Sequence, residues 1–166
     1  MNILFLSQSS GSQNSVNDYM HDIVFHGLKK IYGDKVIDYP GAWYMYKDEV
    51  KKRNYDIKDL WGKGFTLYNL LDEYDKIDRD NIKDKIVNNY FDIIVYGSIH
   101  TTKTFLEYAI SSNSKVIFID GSDSPFINKE LLSKGIYFKR ELNENIDSKV
   151  YPISFAVPKE KIITNI

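Results

Sequence analysis

The sequence predicts an α/β domain: a doubly wound, mostly parallel sheet with helices on both faces. Three observations carry this prediction. Short apolar runs without polar alternation, at 3–6, 93–96 and 116–119, mark strands buried on both faces. Between those runs the apolar residues recur at helical spacing, and strands alternating with helices imply parallel crossovers. The length of 166 residues suits one core and is too short for two ordinary domains, so residues 1–166 are expected to form a single domain.

The elements follow in order. Ile3 to Leu6 is the first strand, and a Ser/Gly/Gln/Asn loop runs from Ser7 to Asn14. Val16, Tyr19, Met20, Ile23, Val24, Leu28 and Ile31 then mark a helix, with Ser15 as its expected N-cap, Asp18 in its first turn and Gly33 at its left-handed end. Val36 and Ile37 begin a second strand, closed by Asp38-Tyr39-Pro40-Gly41. Residues 42–64 are aromatic and irregular, and 65–71 reads as a strand. Ile77, Ile82, Ile86, Val87 and Tyr90 mark a helix before the 93–96 strand, and Phe105, Leu106, Ala109 and Ile110 mark another before the 116–119 strand. A short helix near 129–134 and strands at 136–138 and 150–155 complete the order. The sheet should hold at least five parallel strands with the first near its centre, a three-layer α/β/α arrangement of the Rossmann-like or flavodoxin-like kind. Residues 158–166 read as the start of a further element.

Composition excludes several classes. The chain has no cysteine, which removes disulfides, thiolate metal sites and cysteine nucleophiles. His21, His26 and His100 are the three histidines, so no metal is expected. With 22 basic and 23 acidic residues there is no basic excess for nucleic acid. The basic run at Lys47, Lys51, Lys52 and Arg53 is broken by Asp48 and Glu49 and reads as a solvated helix or loop. No apolar stretch approaches the ~18 residues of a membrane span, and the apolar start lacks a basic n-region, so a cytoplasmic location is expected. Alanine occurs only at Ala42, Ala109 and Ala156, a bias expected of an A+T-rich genome such as a low-GC bacterium or its virus.

In open α/β sheets ligands bind beyond the carboxyl ends of the strands, where the strand order reverses. The residues there are Ser9, Ser10, Gly11 and Ser12, then Ser98 and His100, then Asp120, Ser122 and Asp123. Small polar loops at a helix start suit an anionic or hydroxyl-rich group, and the two aspartates favour sugar hydroxyls or a cation, so a sugar-containing ligand reconciles them. The alternative is that these are ordinary turn residues. The first loop is neither GxGxxG nor GxxxxGK[ST], and no GxSxG elbow occurs. His100 is the one histidine placed at the crevice, where it would act as a base; His21 and His26 are expected at the surface or at a boundary. Asp38 stands where a ribose-binding acid would lie. Glu107 is expected to face solvent, and Trp43 to Tyr46 either pack the irregular segment or stack a ligand. No catalytic residue is assigned.

Tyr96-Gly97-Ser98, the run Phe118-Ile119-Asp120-Gly121-Ser122-Asp123, and Phe138-Lys139-Arg140-Glu141-Leu142 followed by the 151–158 stretch resemble the N-terminal half of glycosyltransferase-like proteins with two Rossmann-type domains, the GT-B arrangement. That resemblance implies an acceptor-side half that pairs with a second Rossmann-like domain or chain. Its partners would be a sugar or sugar nucleotide, and it would turn over little alone. Ser9-Ser10-Gly11-Ser12 is also similar to the phosphate loop of flavodoxins, which implies FMN as cofactor; the glycosyltransferase reading needs none. A third reading is a non-catalytic interaction module that docks a partner through 43–61.

Overall fold

Four consecutive buried side chains make Ile3–Leu6 the strand β1. Strand β2 (Val36–Tyr39) pairs with it on one flank and β3 (Ile93–Tyr96) on the other, both parallel. Beyond β3 lie β4 (Lys115–Asp120), β5 (Ile136–Lys139) and β6 (Val150–Pro152), again all parallel. The resulting six-stranded order is β2-β1-β3-β4-β5-β6. This computed structural model describes residues 1–8, 18–59, 67–143 and 147–162. The chain leaves β1 toward β2, then crosses back past β1 to β3, so the order reverses between β1 and β3. Strand β1 is therefore interior but second from an edge, while β3 and β4 form the central pair.

Alternation along each strand divides the core into two layers. Ile3, Phe5 and Val95 pack with Met20, Ile23 and Phe25 of helix α1 (Tyr19–Tyr32) and with the aromatic segment Ala42 to Tyr46. Leu4, Leu6, Ile94 and Phe118 pack on the other face against α3 (Ile82–Val87), α4 (Leu106–Ser111) and α5 (Lys129–Leu132). Helix α2 (Lys47–Arg53) follows the aromatic segment, its exposed lysines making it the solvated helix expected. This is a three-layer α/β/α, Rossmann-like fold. Among the described residues, no helix is long and apolar enough to cross a membrane.

The structure changes several expected boundaries. Ser15 and Val16 lie outside the described residues; Asp18 caps α1, its Oδ1 accepting from the His21 N–H at 2.8 Å. The part of the expected 65–71 strand that is described, 67–71, does not join the sheet. Its Asn69, Leu70 and Leu71 N–H groups donate to the carbonyls of Tyr44 and Met45, and Leu67 and Leu71 enter the aromatic core. Those donors are spent on the turn, leaving one bridge from Leu71 to Tyr46. Helix α3 is shorter than the apolar pattern implied because left-handed Asn81 opens it and left-handed Asn89 follows it. Strand β6 ends at Pro152, two residues beyond Val150, and one further ladder bond follows, from the Ile153 N–H to the Lys139 carbonyl at 3.1 Å. The expected 150–155 strand is thus shortened at its C-terminal end.

Gly27 sits within α1, and a Cβ built there meets nothing within 4 Å. Gly27→Ala is therefore expected to raise stability by about 0.5–1 kcal/mol, because alanine loses less backbone entropy on entering a helix. A urea midpoint that falls in this variant would contradict the open environment.

Candidate functional site

Asp120 ends β4 and Lys139 ends β5, and the two are paired across the strands. Both side chains are fully buried, and Lys139 Nζ lies 3.0 Å from Asp120 Oδ1. A buried ion pair persists only when its remaining hydrogen-bonding capacity is filled. Here it is. Lys139 also donates to Ser122 O at 3.2 Å and Ser122 Oγ at 2.8 Å. Asp120 Oδ2 accepts from Tyr137 OH at 2.6 Å, and Oδ1 accepts from Ser122 Oγ at 2.9 Å and from the Ser122 N–H at 3.2 Å. Burial alone pushes the Asp120 carboxyl up, but donation from Tyr137, His100, Lys139 and Ser122 outweighs it and holds the group down at about 2. The Tyr137 hydroxyl is pushed up, by burial first and by Asp120 next.

His100 completes the cluster from the loop after β3. Its Nε2 lies 2.8 Å from Asp120 Oδ1, while its side chain remains 52% exposed. The geometry is that of a solvent-facing imidazole held by a buried carboxylate. Ser98, two residues earlier, is buried, and its carbonyl accepts from the N–H groups of Thr101 and Thr102. Asp123 is exposed and forms an ion pair with Arg140 Nη2, whose guanidinium lies over the Phe155 ring at 4.8 Å.

Thus His100, Asp120 and Ser122 come together at the carboxyl edge of the sheet. Asp123 stands at the rim, Ser98 lies beneath, and Ser9, Ser10, Gly11 and Ser12 fall outside the described residues. The Asp120 carboxylate accepts from Tyr137, Lys139 and Ser122 within the fold and also holds His100, and both His100 and Asp123 are exposed at this edge. Tyr137 and Lys139 were not singled out from the sequence. A lysine closing an apolar strand was the available signal, since a buried ammonium needs a carboxylate beside it.

His21 and His26 are buried, contrary to expectation. The inner face of α1 is rotated from the apolar stripe read in the sequence: it includes His21 and Phe25, four residues apart, whereas Ile31 is 72% exposed. His21 Nε2 lies 3.0 Å from Ser7 Oγ, and its Nδ1 lies 2.9 Å from Asp22 Oδ1. His26 faces an open groove of about 690 Å³ between α1 and residues 156–160, with its Nε2 3.7 Å from Glu160. Burial lowers the His26 pKa despite that carboxylate.

Asp38 is consumed by the fold. Its carboxylate accepts from Arg79 Nη2 at 2.7 Å, from Tyr46 OH at 3.1 Å and from the Ala42 N–H at 2.8 Å. Trp43 to Tyr46 are buried in the core, and Glu107 is exposed. Among the described residues, no group of three or more histidine, aspartate or glutamate side chains is placed to hold a metal ion.

Comparisons with protein-family models, with curated proteins and with solved structures return no match.

Proposed function

We propose that this domain is the acceptor-side half of a two-domain, glycosyltransferase-like protein, and that it binds a sugar-containing ligand over the carboxyl edge of β3 and β4. The carrying observation is the exposed His100 ring bonded through Nε2 to buried Asp120. With Nε2–H donated to the carboxylate, Nδ1 is the acceptor, placed to take a proton from a ligand hydroxyl. Asp120 fixes the ring and stabilises the imidazolium that results, as the orienting carboxylate of any base–carboxylate pair does. Exposed Asp123 adds an acceptor for further hydroxyls at the rim. The position beside the reversal in strand order agrees with where open α/β sheets take small ligands.

Titrating the isotope-labelled domain with glucose, N-acetylglucosamine and UDP-glucose tests the reading by NMR. Shifts should concentrate at His100, Ser122 and Asp123 for at least one of the three. His100→Ala should weaken binding by about tenfold, the loss of one hydrogen bond to a charged or polarised group. Its melting temperature should stay close to wild type, since the ring is half exposed. No shift at these residues with any probe, or shifts confined to Trp43–Tyr46, would overturn it.

A further inference from the structure

A second chain of polar side chains lies under the reversal point, and the His100 reading does not use it. Ser7 is the first residue beyond β1, and the segment 19–22 forms the first turn of α1. Ser7 Oγ, His21 Nε2, His21 Nδ1 and Asp22 Oδ1 follow one another at 3.0 and 2.9 Å across the two hydrogen bonds. Asp22 Oδ1 also accepts from Tyr44 OH at 2.5 Å. All four residues are at most 1% exposed.

Stability alone does not account for this arrangement. Asp22 Oδ2 is buried without a hydrogen-bond partner. Burial raises the Asp22 pKa against the opposing pull of His21 and Tyr44, so the carboxylate form is held at a cost. Apolar residues of the same volume would fill the space without that cost. The imidazole is closely packed: a Cβ at Gly97, the residue after β3, would collide with both His21 Cδ2 and the Phe5 ring. The order hydroxyl, imidazole, carboxylate, each within hydrogen-bond reach of the next, is the pattern of an activated nucleophile, its base and the group that orients the base. It recurs on unrelated folds and is recognised by geometry rather than by sequence position.

We infer that Ser7, His21 and Asp22 form an acyl-transfer site, in which Ser7 is the nucleophile for a small activated ester. Ser7 Oγ attacks the ester carbonyl carbon, and its proton passes to His21 Nε2 while Nδ1–H stays bonded to Asp22. Collapse of the tetrahedral adduct breaks the bond to the alkoxy oxygen, which leaves carrying the proton from His21. Water then attacks the acyl-Ser7 carbonyl, yields a proton to His21, and releases the carboxylic acid as Ser7 Oγ recovers its proton. Ser7 and His21 are catalytic residues here, and Asp22 is a positioning residue.

The experiment uses p-nitrophenyl acetate with the purified chain, reading p-nitrophenolate release and, by peptide mass spectrometry, acetyl on Ser7. Wild type should acetylate at Ser7, and Ser7→Ala should lose that adduct while remaining folded by circular dichroism. His21→Gln should slow acylation by about 100-fold or more, the usual effect of removing a general base. Asp22→Asn keeps shape and the Tyr44 partner; it should lower the acylation rate at saturating ester with KM unchanged, and without loss of thermal stability at neutral pH. Absence of acetyl on Ser7 in the wild-type protein overturns the proposal whatever the variants do. So does an acylation rate that His21→Gln and Asp22→Asn leave unchanged. Neither result bears on His100, whose test reads sugar binding.

Discussion

Asp120→Ala is expected to lower the free energy of unfolding by about 3–5 kcal/mol, the range for breaking a buried ion pair from one side. The loss arises mainly at Lys139, which is 0% exposed and would keep only the Ser122 oxygens around its ammonium. Tyr137 OH would lose its acceptor as well. Asp120→Ala combined with Lys139→Met should therefore be more stable than Asp120→Ala alone, because the second change removes the stranded cation. Denaturant melts of the two variants and the wild type measure this; a double variant no more stable than the single one would show that the pair is not coupled. The same carboxylate gives an acid signature. Its pKa falls from 3.8 to about 2 on folding, so the folded state binds the proton less readily. The corresponding stability is present above pH 3.8 and is lost as pH falls through about 2. Its size, about 2 kcal/mol at 1.36 kcal/mol per unit, is smaller than the cost of Asp120→Ala because protonation leaves the oxygens in place as acceptors. Asp120→Asn should flatten the acid limb of the stability curve over that window.

The parallel sheet was legible because a strand buried on both faces has no room for polar alternation, and Ile3–Leu6 and Ile93–Tyr96 show none. His100 and Asp120 could be placed at the carboxyl ends of strands because each stands at or just after the end of an apolar run, at 93–96 and 116–119. What the sequence hid lies in pairings between distant segments. Lys139 looks like the polar end of a strand until Asp120 is beside it, 19 residues away. His21 looks like a surface residue because histidine carries no strong burial preference, and its inward turn depends on the phase of α1. Phe25, fully buried and four residues on, fixes that phase; Ile31, exposed, misleads it. In the 67–71 segment, β propensity was overridden by local competition, since the Tyr44 and Met45 carbonyls took its N–H groups before a sheet neighbour could.

Asp38→Ala should be comparably damaging, by about 3–5 kcal/mol, and for the same class of reason. Asp38 is 0% exposed at the end of β2, where its carboxylate gathers Arg79, Tyr46 OH and the Ala42 N–H. Arg79 approaches from 41 residues along the chain, also donates through Nε to the Asp38 carbonyl at 3.0 Å, and stacks 3.9 Å from the Tyr74 ring centroid. One carboxylate thus ties β2 to the aromatic segment and to the turn preceding α3. Removing it leaves a guanidinium at 13% exposure without its counter-charge and a buried phenol and amide without an acceptor. Asp38→Asn separates the contributions: its amide oxygen can still accept from the Ala42 N–H, so it should cost less than Asp38→Ala, with the difference from wild type reporting the Arg79 charge. A ligand-binding role for Asp38 would produce the opposite pattern, a variant that folds with wild-type stability and loses affinity. Thermal denaturation of Asp38→Ala, Asp38→Asn and Arg79→Met decides between the two. Equal melting temperatures across the set would remove the clamp from the account of this fold.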